Sequence, residues 1–150
     1  MIRIMKASAG SGKTFNLAKT YIRLLLTDEE RYSYRHILAV TFTNKATDEM
    51  KSRILKELHL LAVSPKDSPY YEELVLAFES EDGLRQRAQT VLCDILHDYG
   101  AFAVSTIDCF FQQTLKAFSR EIGQFATYQV ELDLESLVSE SVDRVLDTLS

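Results

Sequence analysis

Eight residues near the start of the chain, Ala7-Ser8-Ala9-Gly10-Ser11-Gly12-Lys13-Thr14, have the types and spacing to hold a polyphosphate. Gly10 and Gly12 let the backbone turn without a Cβ clash and come close to an anion. The amides of Ala9, Gly10, Ser11, Gly12, Lys13 and Thr14 then form an inward-facing nest at a helix N-terminus, where the peptide dipoles favour negative charge. Lys13 reaches the outer phosphates and is the catalytic candidate, and the Thr14 hydroxyl is placed to ligate Mg²⁺. The chain departs from the general pattern G-x-x-x-x-G-K-S/T in one place, with Ala7 where that pattern has glycine. The competing reading is a Gly/Ser turn that happens to precede Lys-Thr. The flanks argue for the phosphate loop, because the alternating run Ile2-Arg3-Ile4-Met5 precedes it and a helical pattern, Phe15 to Leu26, follows. Strand, glycine-bearing loop, helix is the context such a loop requires. The expected ligand is a nucleoside triphosphate.

The elements that position this loop read as α/β. The helix from Thr14 to about Leu26 sets Leu17, Ala18, Tyr21, Ile22, Leu25 and Leu26 on one broad apolar stripe. His36-Ile37-Leu38-Ala39-Val40-Thr41 has strand length and is nearly continuous in apolar character, which predicts a parallel strand covered on both faces. A right-handed strand–helix–strand crossover therefore fills the first forty residues. Ala46, Met50, Ile54, Leu58 and Leu61 then run down one face of a helix capped by Thr43 or Asn44. Residues 62–69 hold both prolines, Pro65 and Pro69, and read as a loop. Two helices are expected after it, near 70–79 and 83–98, with no strand between them. Gly100 ends the second of these helices, and Ala101-Phe102-Ala103-Val104-Ser105 is the next buried-strand candidate. After it, Thr106 caps a helix bearing Phe110, Phe111, Leu115 and Phe118, which reads as a core helix. Leu132 to Leu149 is a last amphipathic helix rich in acid.

The carboxyl edge of a parallel sheet is where ligands bind, so the residues following each strand are the next candidates. Phe42, Thr43 and Asn44 follow the second strand, and Thr106 follows the third. An exposed Phe between polar residues offers a stacking surface for a base and hydrogen bonds for a backbone, as single-stranded nucleic acid requires. The residues alone leave this open against a hydrophobic staple with two capping side chains.

Composition narrows the class. With 46% hydrophobic and 26% charged residues, the 150-residue chain reads as one soluble globular domain. No apolar run approaches the ~20 residues of a membrane span, and the strand-like start at Ile2 leaves no room for a signal peptide, so a cytoplasmic location is expected. Cys93 and Cys109 lack metal-ligand spacing and read as reduced, half-buried thiols. The net charge of −5 hides an asymmetry: residues 1–60 carry 11 Lys/Arg against 6 Asp/Glu, whereas residues 61–150 carry 6 against 16. The half with the phosphate loop is basic, as a polyanion-facing surface would be, although mixed solvated helix faces give the same count.

Three stretches together resemble superfamily 1 DNA helicases of the UvrD/Rep type. Ala7–Thr14 is similar to that family's nucleotide loop, Ala7 included. Ile37–Ile54 (ILAVTFTNKATDEMKSRI) is similar to its motif Ia, and Val104–Phe118 (VSTIDCFFQQTLKAF) to its next DNA-contacting segment. The wording ASAGSGKTF is closer to the RecB/AddA branch, the helicase–nuclease subunits. The resemblance implies ATP and Mg²⁺ as cofactors and, as partners, single-stranded DNA and a second helicase–nuclease subunit. It also implies DNA contacts at Phe42, Thr43, Asn44 and Thr106. Many relatives have His where this chain has Asp108, an acid that would repel a phosphate backbone.

The fold it implies is an incomplete α/β P-loop NTPase: a RecA-like, three-layer parallel sheet with an all-helical insertion. Residues 1–54 and 100–131 would form part of the motor domain, 55–99 the insertion, and 132–150 a helix leading into the rest of a longer protein. No strand ending in a paired Asp-Glu and no second motor domain is recognisable, so the chain reads as the amino-terminal ATP-binding segment of a DNA helicase or helicase–exonuclease, inactive by itself. The alternatives are a non-catalytic nucleotide-dependent DNA-binding or assembly module, and a small P-loop kinase.

Overall fold

The computed structural model describes residues 12–121, together with Val138 and Val142. The chain divides into two compact units, residues 1–113 and 114–150. The expected first strand, the phosphate-loop residues Ala9, Gly10 and Ser11, and most of the carboxyl-terminal helix lie outside the described residues.

In the first unit, helix α1 (Lys13–Thr27) buries Ala18, Tyr21, Ile22, Leu25 and Leu26, the stripe its periodicity predicts, while Leu17 stays 38% exposed. Strand β1 (Ala39–Thr41) leads into α2 (Asn44–Val63), which buries Met50, Ile54, Leu58 and Leu61 at helical spacing. A single helical turn, α3 (Tyr71–Leu74), precedes α4 (Glu81–His97), which lays Leu84, Ala88, Val91 and Ile95 against α2 and also touches α1. The apolar stripes of α1, α2 and α4, closed by Tyr34, Tyr70, Leu74 and Phe102, form one core. Strand β2 (Val104–Thr106) pairs parallel to β1 in the register Ala39–Val104, Val40–Ser105 and Thr41–Thr106.

Several boundaries differ from the sequence expectation. The strand expected over 36–41 shortens to three residues, and Leu38 and Val40 are 46% and 40% exposed, so it is covered on one face. Burial on the other face falls to Ala39, whose side chain packs into the core. The third strand begins at Val104 because Tyr99–Ala101 form a 3₁₀ turn. The helix expected over 70–79 is only the one turn of α3, continued as a 3₁₀ segment, Val75–Ala77. Helix α4 starts earlier than the apolar pattern indicates, at Glu81. The Ser80 hydroxyl accepts the Gly83 N–H, and Glu81 and Asp82 complement the dipole in the first turn. Residues 55–99, all described, contain no strand. Cys93 is exposed rather than half-buried, since it lies on the solvent side of α4.

Helix α5 (Ile107–Glu121) contains the division between the units. Its Phe111, Leu115 and Phe118 are more than half exposed, so the core-helix expectation does not hold for this stripe. In the second unit, Val138 and Val142 are helical and exposed, four residues apart.

Candidate nucleotide and nucleic-acid sites

The phosphate-loop candidate enters the described structure at Gly12, the N-cap of α1, in the left-handed region at φ 73°. Among the described residues a Cβ there would meet nothing closer than 3.9 Å, and the backbone dihedral is the constraint. Gly12 has no side chain to cap the helix, and the first turn of α1 holds no acid. Among the described residues no side chain caps the first amides of α1, and Lys13 and Thr14 are both exposed beside them. This arrangement fits a phosphate chain: amide donors at the positive end of a 15-residue helix, one adjacent ammonium, and one hydroxyl available to a divalent cation.

The second set of candidates sits at the carboxyl edge of the two strands. Register pairs Thr41 with Thr106, so the residues that leave β1 and β2 emerge side by side. Phe42 is 88% exposed, which excludes the hydrophobic-staple reading. Thr43 takes the capping role: its hydroxyl accepts the Ala46 N–H at 3.1 Å. Thr106 repeats the arrangement on α5, accepting the Cys109 N–H at 3.2 Å. Each hydroxyl keeps its own proton to donate. Asn44 is exposed in the first turn of α2, where there is no acid, whereas Asp108 is exposed in the first turn of α5.

Sequence reasoning missed what holds this edge in shape. The Thr41 and Thr47 hydroxyls lie 2.6 Å apart, and each is within hydrogen-bond distance of the Thr43 carbonyl, at 3.1 and 3.2 Å. Thr47 is buried in α2. Two side chains six residues apart thus fasten the link between β1 and α2, and Phe42 projects from it. Neither threonine stands out in the apolar periodicity, because the signal is a tertiary convergence on one carbonyl.

Comparison with known proteins decides the family. The model for the UvrD/REP helicase N-terminal domain matches residues 2–149. The chain belongs to this family. RecBCD enzyme subunit RecB from Escherichia coli (strain K12) is 36% identical over 146 residues, 91% of this chain and 12% of that protein. RecB from Buchnera aphidicola subsp. Schizaphis graminum is 35% identical over 125 residues, 77% of the chain and 10% of the relative. An ATP-dependent helicase/nuclease protein from Thermoanaerobacter sp. (strain X514) is 38% identical over 74 residues, 49% of the chain and 6% of the relative. The chain spans about an eighth of the length of the first of these relatives and less of the others. Membership in the UvrD/REP family carries a P-loop NTPase fold, to which the parallel β1–β2 pair conforms. Among the described residues no helix is long and apolar enough to cross a membrane.

Proposed function

We propose that this chain is the amino-terminal ATP-binding segment of a cytoplasmic DNA helicase or helicase–exonuclease subunit that couples ATP hydrolysis to movement on single-stranded DNA in repair or recombination. The observation that carries the reading is Gly12: a left-handed N-cap without a capping side chain, opening a helix with no acid in its first turn and with Lys13 and Thr14 exposed. In this reading Ala9, Gly10, Ser11, Gly12, Lys13 and Thr14 cradle the phosphates of ATP. Lys13 neutralises charge on the outer phosphates, and Thr14 offers its hydroxyl to Mg²⁺. A cation held there would supply positive charge beside the phosphates, and Lys13 supplies the chain's own.

The DNA path in this reading runs over the edge formed by Phe42, Thr43, Asn44 and Thr106. The Phe42 ring offers a base a face to stack on, and Thr43 and Thr106 donate their hydroxyl protons to phosphate oxygens while still capping their helices. The amino termini of α2 and α5 add favourable dipoles at the same edge. Asp108 opposes a phosphate there and faces away from the backbone in this reading. Residues 1–54 and 100–131 belong to a RecA-like, three-layer motor domain, 55–99 to a helical insertion, and 132–150 lead toward the rest of the protein, including the surface for a second helicase–nuclease subunit.

The test is ATP turnover by the full-length protein with and without single-stranded DNA. Turnover stimulated by DNA and abolished by Lys13→Ala is the expected result. DNA-independent phosphorylation of a small molecule would move the chain to the kinase reading. DNA binding without turnover would make it a clamping module.

A further inference from the structure

The first turn of α1 is held from behind by a residue far along the chain. Tyr70 is fully buried, and its hydroxyl donates to the Phe15 carbonyl at 3.1 Å. Its ring also meets the Phe15 ring edge-on, with centroids 4.7 Å apart. One side chain thus grips both the ring and the carbonyl of the residue that follows Thr14. Tyr70 is in turn fixed to α2: its N–H donates to the Ser68 hydroxyl at 3.3 Å, and that hydroxyl donates to the Glu57 carboxylate at 2.7 Å. Ser68 and Glu57 are both buried, at 4% and 7% exposure. A second strap ties the two segments together, Lys19 of α1 to Glu73 of α3 at 2.6 Å.

We propose that Tyr70 is a positioning residue for the nucleotide loop, holding the first turn of α1 so that its amides, Lys13 and Thr14 keep the geometry a polyphosphate requires. This inference rests on the nucleotide reading of Gly12–Thr14 above. The physical argument is preorganisation. The loop presents its amides as a set, so the entropy of ordering the first turn falls on binding unless the fold has already fixed it. A buried donor on a helix's first-turn carbonyl fixes that turn without occupying the outward-facing amides. Burial raises the Tyr70 pKa, so the hydroxyl keeps its proton and stays a donor at neutral pH. The Glu57–Ser68–Tyr70–Phe15 chain also makes α2, whose first turn carries Asn44 and whose cap is Thr43, the member against which the loop is braced.

The test uses the full-length protein and three variants: Tyr70→Phe, which keeps the ring and removes the donor; Ser68→Ala, which frees the Tyr70 backbone; and Lys13→Ala as reference. Labelled Mg-ADP is titrated, Mg-tripolyphosphate is used as competitor, ATP turnover is split into KM and kcat, and each variant is melted. Tyr70→Phe should raise the Mg-ADP Kd, the tripolyphosphate inhibition constant and the KM for ATP by a common factor of about two to ten. Its kcat should stay close to the parent's while its melting temperature falls by no more than one buried hydrogen bond accounts for, and Ser68→Ala should give a smaller shift in Kd and KM in the same direction. A lowered melting temperature with unchanged Kd and KM would make Tyr70 merely structural and overturn the proposal. If Lys13→Ala also leaves Mg-ADP affinity unchanged, the nucleotide reading itself has failed, and this inference fails with it.

Discussion

Under the proposed function, Phe42 and Lys13 are exposed residues whose substitution separates function from folding. Phe42 is 88% exposed, so Phe42→Ala removes almost no buried area and should leave the melting temperature within the error of a surface change. In the full-length protein the same substitution should weaken single-stranded DNA binding by ~1–3 kcal/mol, the scale of one lost base–aromatic stack, as read in a fluorescence titration. Lys13 is exposed, so Lys13→Ala is likewise neutral to stability. Under the proposed function it removes a charge-assisted contact worth ~1.5–3 kcal/mol, which predicts a roughly 10- to 150-fold rise in the Mg-ADP Kd. Gly12 differs from both, since any side chain at φ 73° strains the backbone just where the amides must converge.

At the scale of elements, the helix starts serve structure and site together. Thr43→Ala deletes the cap of α2 and should cost ~0.5–2 kcal/mol of stability, measured by denaturant unfolding. Thr43→Ser keeps the hydroxyl and should restore most of it. Thr43→Gly keeps most of the cap's stability without a hydroxyl, so its DNA binding separates the cap from the contact. Helix α4 is fastened to the segment after α1 by Arg87, whose guanidinium donates to the carbonyls of Leu25, Asp28 and Glu30 at 3.1, 2.6 and 3.0 Å. Arg31 adds a two-pronged pair with Asp94, both contacts at 3.1 Å. Arg87 closes the carboxyl end of α1 as Tyr70 braces its amino end, so α1 is gripped at both termini by the segment between residues 68 and 97.

For the molecule as a whole, pH reports on the buried phenols. Tyr21 is 3% exposed, and burial pushes its pKa far above the usual 10, with Tyr70 raised in the same direction. An acid whose folded pKa is raised keeps its proton where the unfolded chain loses it, so stability holds below pH 10 and declines above it. Tyr21 by itself contributes a decline of ~1.4 kcal/mol per pH unit above pH 10. Tyr21→Phe should flatten the decline in melts between neutral and strongly alkaline pH. The Tyr21 hydroxyl donates to the Ile37 carbonyl, so some stability at neutral pH is lost in exchange. Under the proposed function, these 150 residues by themselves should bind Mg-ATP weakly and turn it over negligibly, which a direct phosphate-release assay would check.

Local chemistry made much of this protein legible in its sequence. The need for glycine at position 12, the left-handed N-cap of α1, follows from backbone sterics, which require no distant partner. The apolar stripes of α1, α2 and α4 follow from the helical period, because burial of one face is already written in the spacing. The strands were harder to delimit: β1 and β2 are three residues each, and pairing ends where the neighbouring strand ends, which no single segment encodes. Only the tertiary structure decided that Phe42 stands exposed rather than stapled to α2, since the same residue types serve either arrangement and the packing around Thr41, Thr43 and Thr47 selects one. It also decided that Tyr70 lies behind Phe15. Those residues are 55 positions apart, and a hydrogen bond between them depends on how α2 and the segment after it return the chain to α1, a path that no local preference specifies.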